Sequence, residues 1–115
     1  LIYPNYLEYQ YTKLNLMNFF DINYNSVHMN SPQIWSGTFF IKKNLQNIKF
    51  VKSWLRIFEN MNLIDDTKNN VKNNNKFIEH RHDQSAFSLL CKLSNVFSLS
   101  VYDHCEWAID EKGRN

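Results

Sequence analysis

The stretch Gln33-Ile34-Trp35-Ser36-Gly37-Thr38-Phe39-Phe40-Ile41-Lys42-Lys43, followed at once by a segment opening at Asn44, decides the fold class. Gln33 to Lys42 is β-branched and aromatic and ends on a basic pair, the pattern of a strand, and it reads as a central one. Gly37 weakens a strand by itself, so its presence there suggests close approach of a ligand or another backbone. From Asn44 or Asn47 onward, Ile48, Val51, Trp54, Leu55 and Phe58 fall at i, i+3, i+6, i+7 and i+10, with Lys49, Lys52, Arg56 and Glu59 directed away. That spacing predicts an amphipathic helix to about Met61. A strand feeding a helix is the unit of α/β layers, so the expected class is α/β.

Upstream, Leu14, Met17 and Phe20 repeat at helical spacing behind Thr12, which predicts a short helix capped by Thr12. Asp21 to Pro32 reads as loop, because Asn23, Asn25, Ser26, Asn30 and Ser31 offer the backbone local hydrogen bonds. Downstream, residues 65–76 read as a mobile Asn-rich loop, after which Phe77-Ile78 brings the chain back to the core. A helix follows in which Ala86, Leu89, Leu90 and Leu93 form the apolar stripe and Asp83 or Ser85 the cap. Val96 to Tyr102 alternates Phe97, Leu99 and Val101 with Ser98, Ser100 and Tyr102, as a half-buried strand does. Residues 110–115 read as a frayed tail.

Of the 115 residues, 43% are hydrophobic, 16% aromatic and 21% charged, which excludes a disordered chain. Glycine and proline occur twice each against seventeen asparagines, so Asn must take the tight turns. Two predicted strands of a mixed or parallel sheet need neighbours, and the chain starts at Leu1 without Met. It is therefore expected to be a single domain fragment over residues 1–115, with a small mixed sheet and about three helices. A net charge of +2 is far from the basic field that phosphate-backbone binding uses, so nucleic acid is not an expected partner. Apolar runs no longer than Phe39-Phe40-Ile41 predict no membrane span. Cys91 and Cys105 form no framework and no C-x-x-C pair, which fits a reducing, cytoplasmic setting, with Cys91 as a small buried hydrophobe.

The chemistry concentrates in Glu79-His80-Arg81-His82-Asp83-Gln84-Ser85, flanked by Phe77 and Phe87. One reading is structural: Asp83 caps the helix, Arg81 pairs with Glu79 or Asp65, and the histidines close hydrogen bonds across the loop. The other is functional: the cluster lines a pocket for a polyhydroxylated or phosphorylated ligand, at a helix N-terminus that favours negative charge. His80-x-His82 on extended backbone puts both imidazoles on one side, and with Asp83 as a third ligand they suit a metal. A metal-dependent hydrolase or nuclease, with Asp103 and His104 as remote ligands, is thus an alternative. A non-catalytic interaction module is another, resting on aromatic content alone.

Taken together, Gln33 to Ile41, the helix with Phe50-Val51 and Trp54-Leu55, and Phe77 to Leu90 resemble the C-terminal half of GT-A-type nucleotide-diphospho-sugar glycosyltransferases, three-layer α/β domains with bacterial and viral members. Glu8-Tyr9-Gln10-Tyr11-Thr12-Lys13 is similar to what precedes that block, and the most specific piece is His80 to Leu90. The resemblance implies transfer of a sugar from a nucleotide-diphospho-sugar donor to a glycan or other hydroxyl acceptor. It implies that Asp83 accepts hydrogen bonds from donor-sugar hydroxyls and that Gln84 lies near the anomeric carbon. Ser36 and Gly37 would line the same pocket, alongside His80, Arg81 and His82. The family's Asp-x-Asp metal motif and glycine-rich nucleotide segment are absent from this chain. A divalent metal, Mn or Mg, would accordingly take most of its ligands from outside it.

Overall fold

The computed structural model describes residues 1–68 and 72–105, and its first element is a strand that the sequence hides. β1, Ile2–Leu7, pairs antiparallel with β2, Pro32–Ile34, matching Ile2 to Ile34, Tyr3 to Gln33 and Leu7 to Pro32. The step from Tyr3 to Leu7 on β1 meets a single step on β2, so β1 bulges between them. Pro4, with no N–H to give a ladder, sits in that irregularity, where strands tolerate proline.

Among the described residues five α-helices accompany this two-stranded sheet: α1, Glu8–Tyr11; α2, Leu14–Phe19; α3, Leu45–Ile57; α4, His82–Leu93; and α5, Val101–His104. The described residues form a small mixed α/β domain. No helix among them is long and apolar enough to cross a membrane. Residues 65–68 and 72–76 carry no helix or strand, while Asn69 to Val71 and the tail expected at 110–115 lie outside the described residues.

The strand predicted from Gln33 to Lys42 stops at Ile34, and it is not central. On one side β2 meets β1, and the carbonyl of Leu1, just before that strand, accepts the Trp35 N–H at 2.6 Å; from Ser36 on, this register offers no partner strand. On the other side the Ile34 N–H donates to the Ser88 hydroxyl of α4 at 2.8 Å, so a helix covers that edge. It is β1 that has backbone on both flanks, because the Ile2 N–H reaches the Leu99 carbonyl at 2.7 Å and Ile2 bridges Ser100 in parallel. That bridge is all that remains of the strand expected over Val96–Tyr102. Phe97 and Leu99 are exposed, and Ser100 turns the chain into α5 by accepting the Tyr102 N–H.

The helices also depart from their expected edges and faces. Thr12 does not cap α2, since its hydroxyl donates to Glu8 at 2.6 Å and Lys13 takes the cap position. Asn44 does cap α3, accepting the Asn47 N–H at 2.8 Å. The buried side of α3 is Phe50, Trp54 and Ile57, while Ile48, Val51, Leu55 and Phe58 of the predicted stripe face solvent. The apolar arc is wider than the surface available to cover it.

α4 is the central helix, packed on β2 and α3. Leu90 and Leu93 of its predicted stripe are half-buried and exposed, and the buried side is Ala86, Phe87, Leu89 and Cys91 with Ser85 and Ser88. Phe87, 3% exposed, meets Phe39, Trp54 and Phe50 with ring centroids 4.8, 4.9 and 6.0 Å away. Cys91 is buried as expected, and burial pushes its thiol up to about 12, which makes it an inert hydrophobe.

Candidate functional site

The residues singled out in the sequence gather around the N-terminal end of α4, and a buried polar cluster holds them there. At its centre is Glu8, fully buried at the start of α1. One carboxylate oxygen accepts from the Thr12 hydroxyl at 2.6 Å and from Gln33 Nε2 at 3.0 Å. The other accepts from the Ser88 hydroxyl and Lys92 Nζ, both at 2.5 Å. A buried charge is tolerable only when paired and hydrogen-bonded, and here both oxygens are doubly satisfied. Burial lowers the Lys92 pKa, and the facing Glu8 charge opposes that fall.

This arrangement fixes the polarity of the next two side chains outward. A carboxylate only accepts, so buried Gln33 must point its NH₂ at Glu8, which turns its carbonyl oxygen outward. Gln33 Oε1 then accepts from Gln84 Nε2 at 2.7 Å. Gln84 therefore spends its NH₂ inward and turns its own carbonyl oxygen, the negative end of the amide dipole, away from Gln33. The charge on Glu8 decides which end of an amide the surface of the cluster offers.

Asp83 lies in the first turn of α4, exposed, where the helix dipole favours its charge. It is not the cap, because Arg81 occupies that position without a side-chain cap bond. Asp83 Oδ2 instead accepts from the Ser36 hydroxyl at 3.3 Å, so the segment after β2 meets the helix start. Ser85 closes the turn from the inside, accepting the Arg81 N–H at 3.1 Å and donating to the Tyr11 carbonyl at 2.6 Å. The Arg81 guanidinium sits 4.8 Å from the Tyr11 ring centroid and 5.5 Å from that of Tyr6, and it pairs with Glu79 at 2.9 Å.

The two histidines do not share one face. His80 is 6% exposed, its Nδ1 accepting the Lys13 N–H at 3.2 Å and its Nε2 donating to the Leu63 carbonyl at 2.9 Å. That pattern fixes the tautomer of a neutral imidazole, and burial holds its pKa down at about 4. His82 is exposed, starts α4 from a left-handed backbone (φ 50°), and places Nε2 2.8 Å from Asp66. The rings lie edge to face, with centroids 5.9 Å apart. Asp65 is held below the usual carboxylate range by hydrogen bonds from the Thr67 hydroxyl and N–H, with Lys13 adding to them.

These donors do not fit a resident divalent ion. His80 has both nitrogens engaged, Asp66 is on His82, and Asp65 is on Thr67 and Lys13. Among the described residues no three His, Cys, Asp or Glu side chains converge. Asp103 and His104 belong to α5, where His104 is tied to the Ser100 carbonyl.

Gly37 has a different reason from the one its sequence context suggests. A Cβ built there would run into the indole of Trp35, two residues back, so the close neighbour is the chain's own ring. Gly37→Val is expected to push that indole out of its contact with Tyr3, shifting tryptophan emission to longer wavelength and costing about 1–3 kcal/mol of stability. Unchanged emission and denaturation midpoint would show that Trp35 yields freely.

The inner cluster is what the sequence reading passed over. Its signal was a polar stripe on an otherwise apolar helix: Ser85, Ser88 and Lys92 stand at i, i+3 and i+7, and Glu8 and Thr12 at i and i+4. No protein-family model, no curated protein and no solved structure matches this chain.

Proposed function

We propose that the chain is part of a glycosyltransferase domain that transfers a sugar from a nucleotide-diphospho-sugar to a glycan or other hydroxyl acceptor, with the donor sugar against Asp83 and Gln84. The observation that carries this reading is the outward polarity of that pair. The exposed Asp83 carboxylate and the outward Gln84 carbonyl stand side by side at one helix start, beside Ser36 and Gly37. Sugar transfer passes through an oxocarbenium-like state, and two negative ends beside the anomeric centre would stabilise the positive charge that develops there. The pair is also held in advance, Gln84 by Gln33 and Asp83 by Ser36, so the site would not reorganise as the charge appears. Arg81 and His82 would face the polar ends of the substrate. His80 would act behind them, fixing the loop to α2 through the Lys13 N–H. A divalent cation on the donor diphosphate, Mn or Mg, would take most of its ligands from outside this chain.

Asp83→Asn, made in the complete reading frame, is expected to lower turnover with the donor that the enzyme accepts by about 10–100-fold, with far-UV circular dichroism and melting temperature unchanged. The assay is a panel of nucleotide-diphospho-sugars with Mn²⁺ or Mg²⁺, read as donor cleavage or product formation. Turnover that survives the substitution intact, or a panel with no accepted donor, overturns the assignment.

A further inference from the structure

α3 carries three parallel stripes. Phe50, Trp54 and Ile57 face the core; Ile48, Val51 and Leu55 face solvent; and Lys49, Lys52 and Arg56, each one position further on, run alongside the exposed apolar stripe. The segment before the helix continues the pattern, with Phe40 and Ile41 exposed and Lys42 and Lys43 following. Two of these apolar side chains, together with Leu45 at the start of α3, stand well clear of the protein: Phe40 is 102% exposed, Leu45 70% and Leu55 66%. A depression of about 350 Å³ lies between this segment and the helix, with Ile41, Ile48 and Val51 as its apolar walls and Lys42, Lys43 and Lys52 at its rim.

The charge is as segregated as the apolar surface. Residues 41–58 hold five Lys and Arg and no Asp or Glu, whereas the rest of the chain holds eight Lys and Arg against eleven Asp and Glu. A face destined for a protein interior would not carry five unpaired-sign cations along its edge, because desolvating them is costly. An acidic peptide would seat its own apolar residues in that depression, yet the most exposed apolar side chains of this face, Phe40, Leu45 and Leu55, lie outside its walls and protrude. A ridge of protruding apolar side chains flanked by lysine and arginine suits the boundary between headgroups and acyl chains of an anionic bilayer.

We propose that the face formed by Phe40-Ile41 and the outer side of α3 docks on an anionic lipid surface. Phe40, Ile41, Ile48, Val51 and Leu55 enter the headgroup boundary, and Lys42, Lys43, Lys49, Lys52 and Arg56 meet the lipid phosphates. This placement is independent of the transfer chemistry proposed above.

The test is co-sedimentation of the intact protein with vesicles of phosphatidylcholine containing about one third phosphatidylglycerol, against vesicles of phosphatidylcholine alone. Partition into the anionic vesicles is expected to be on the order of 100-fold stronger, and to fall about 10-fold between about 0.1 M and about 1 M salt. Leu55→Glu, and separately the pair Lys49→Glu with Lys52→Glu, are expected to lower it by at least about 10-fold. All three residues are exposed, so far-UV circular dichroism should not change. Equal partition into both vesicles, no partition into either, or variants that bind like the parent would overturn the proposal. Saturable binding of an acidic amphipathic peptide without vesicle partition would put a protein partner in the lipid's place.

Discussion

Replacing Glu8 by Ala is expected to destabilise the domain by about 3–5 kcal/mol, a large share of the roughly 5–15 kcal/mol that holds a domain together. The size follows from what the substitution leaves behind. Lys92 Nζ keeps only the His28 and Ser31 carbonyls, at 3.2 and 3.4 Å, and loses the one opposite charge that made its burial tolerable. Thr12, Gln33 and Ser88 lose an acceptor at the same time. Urea denaturation with an unchanged slope would report the loss as stability alone. The companion variant is Glu8→Leu with Lys92→Met, which removes the charges together. Breaking a buried pair costs far more than replacing it with apolar groups, so the double variant should be more stable than Glu8→Ala despite carrying one more substitution. If the losses of Glu8→Leu alone and Lys92→Met alone simply add to that of the double variant, the pair is not coupled and the buried ion pair does not hold the cluster. Gln84 supplies a second readout in the same variants. Without an acceptor-only group at position 8, neither amide has a forced orientation, and the Gln84 side-chain NH₂ resonances should move toward solvent-exposed values.

Much of the local structure was legible because its causes are local. Asn44 starts α3 through its own side chain, Glu79 pairs with Arg81 two residues on, and Asn and Ser between Asp21 and Ser31 take the backbone into turns. The strands were not legible, because nothing local decides where a ladder ends. Trp35 to Ile41 has the composition of a strand, yet what it lacks is a partner in register, and composition cannot encode that. β1 is hidden for the opposite reason: Pro4 breaks the pattern of a strand, and a bulge accommodates it. Periodicity located α3 and α4 but misjudged their faces. The predicted stripe of α3 left out Phe50 and Ile57, and on α4 the wall that packs on β2 is built from Ser85 and Ser88, because small hydroxyls let a backbone approach and satisfy it. In the candidate site the outer residues could be read from their density, and the inner ones could not. Glu8, Gln33 and Lys92 are far apart in sequence and polar, so a stripe argument that looks for apolar spacing steps over them.

His80 should make the fold sensitive to mild acid. In the native state its imidazole is neutral, wedged between the Lys13 N–H and the Leu63 carbonyl, and burial holds its pKa at about 4; unfolded, it returns to an ordinary value of 6.5. Between those two values the unfolded chain binds a proton that the native chain refuses. The stability contributed by the neutral ring is therefore fully present above pH 6.5 and is lost progressively as pH falls toward 4, to a total of about 3 kcal/mol. The charges facing the ring are mixed: Lys13 and His82 add to the depression and Asp66 opposes it, with burial outweighing all three. His80→Gln removes the titration and keeps a polar side chain, at a fixed cost of about 1–3 kcal/mol for the altered hydrogen bonds. Denaturation midpoints measured from pH 7.5 down to about 4 should show the parent falling toward the variant as the histidine gives up its advantage. Parallel curves would place the acid-sensitive group elsewhere. The consequence reaches the candidate site, because His80 is what ties the segment carrying Arg81, His82 and Asp83 to the start of α2. Protonation would place a second N–H, and a positive charge, on a ring whose only acceptor is one carbonyl, against a backbone N–H that can no longer donate to it. The bond to Lys13 breaks first, and the entrance to α4 should loosen in hydrogen exchange at a pH where the Glu8 cluster, packed deeper between α1 and α4, still holds.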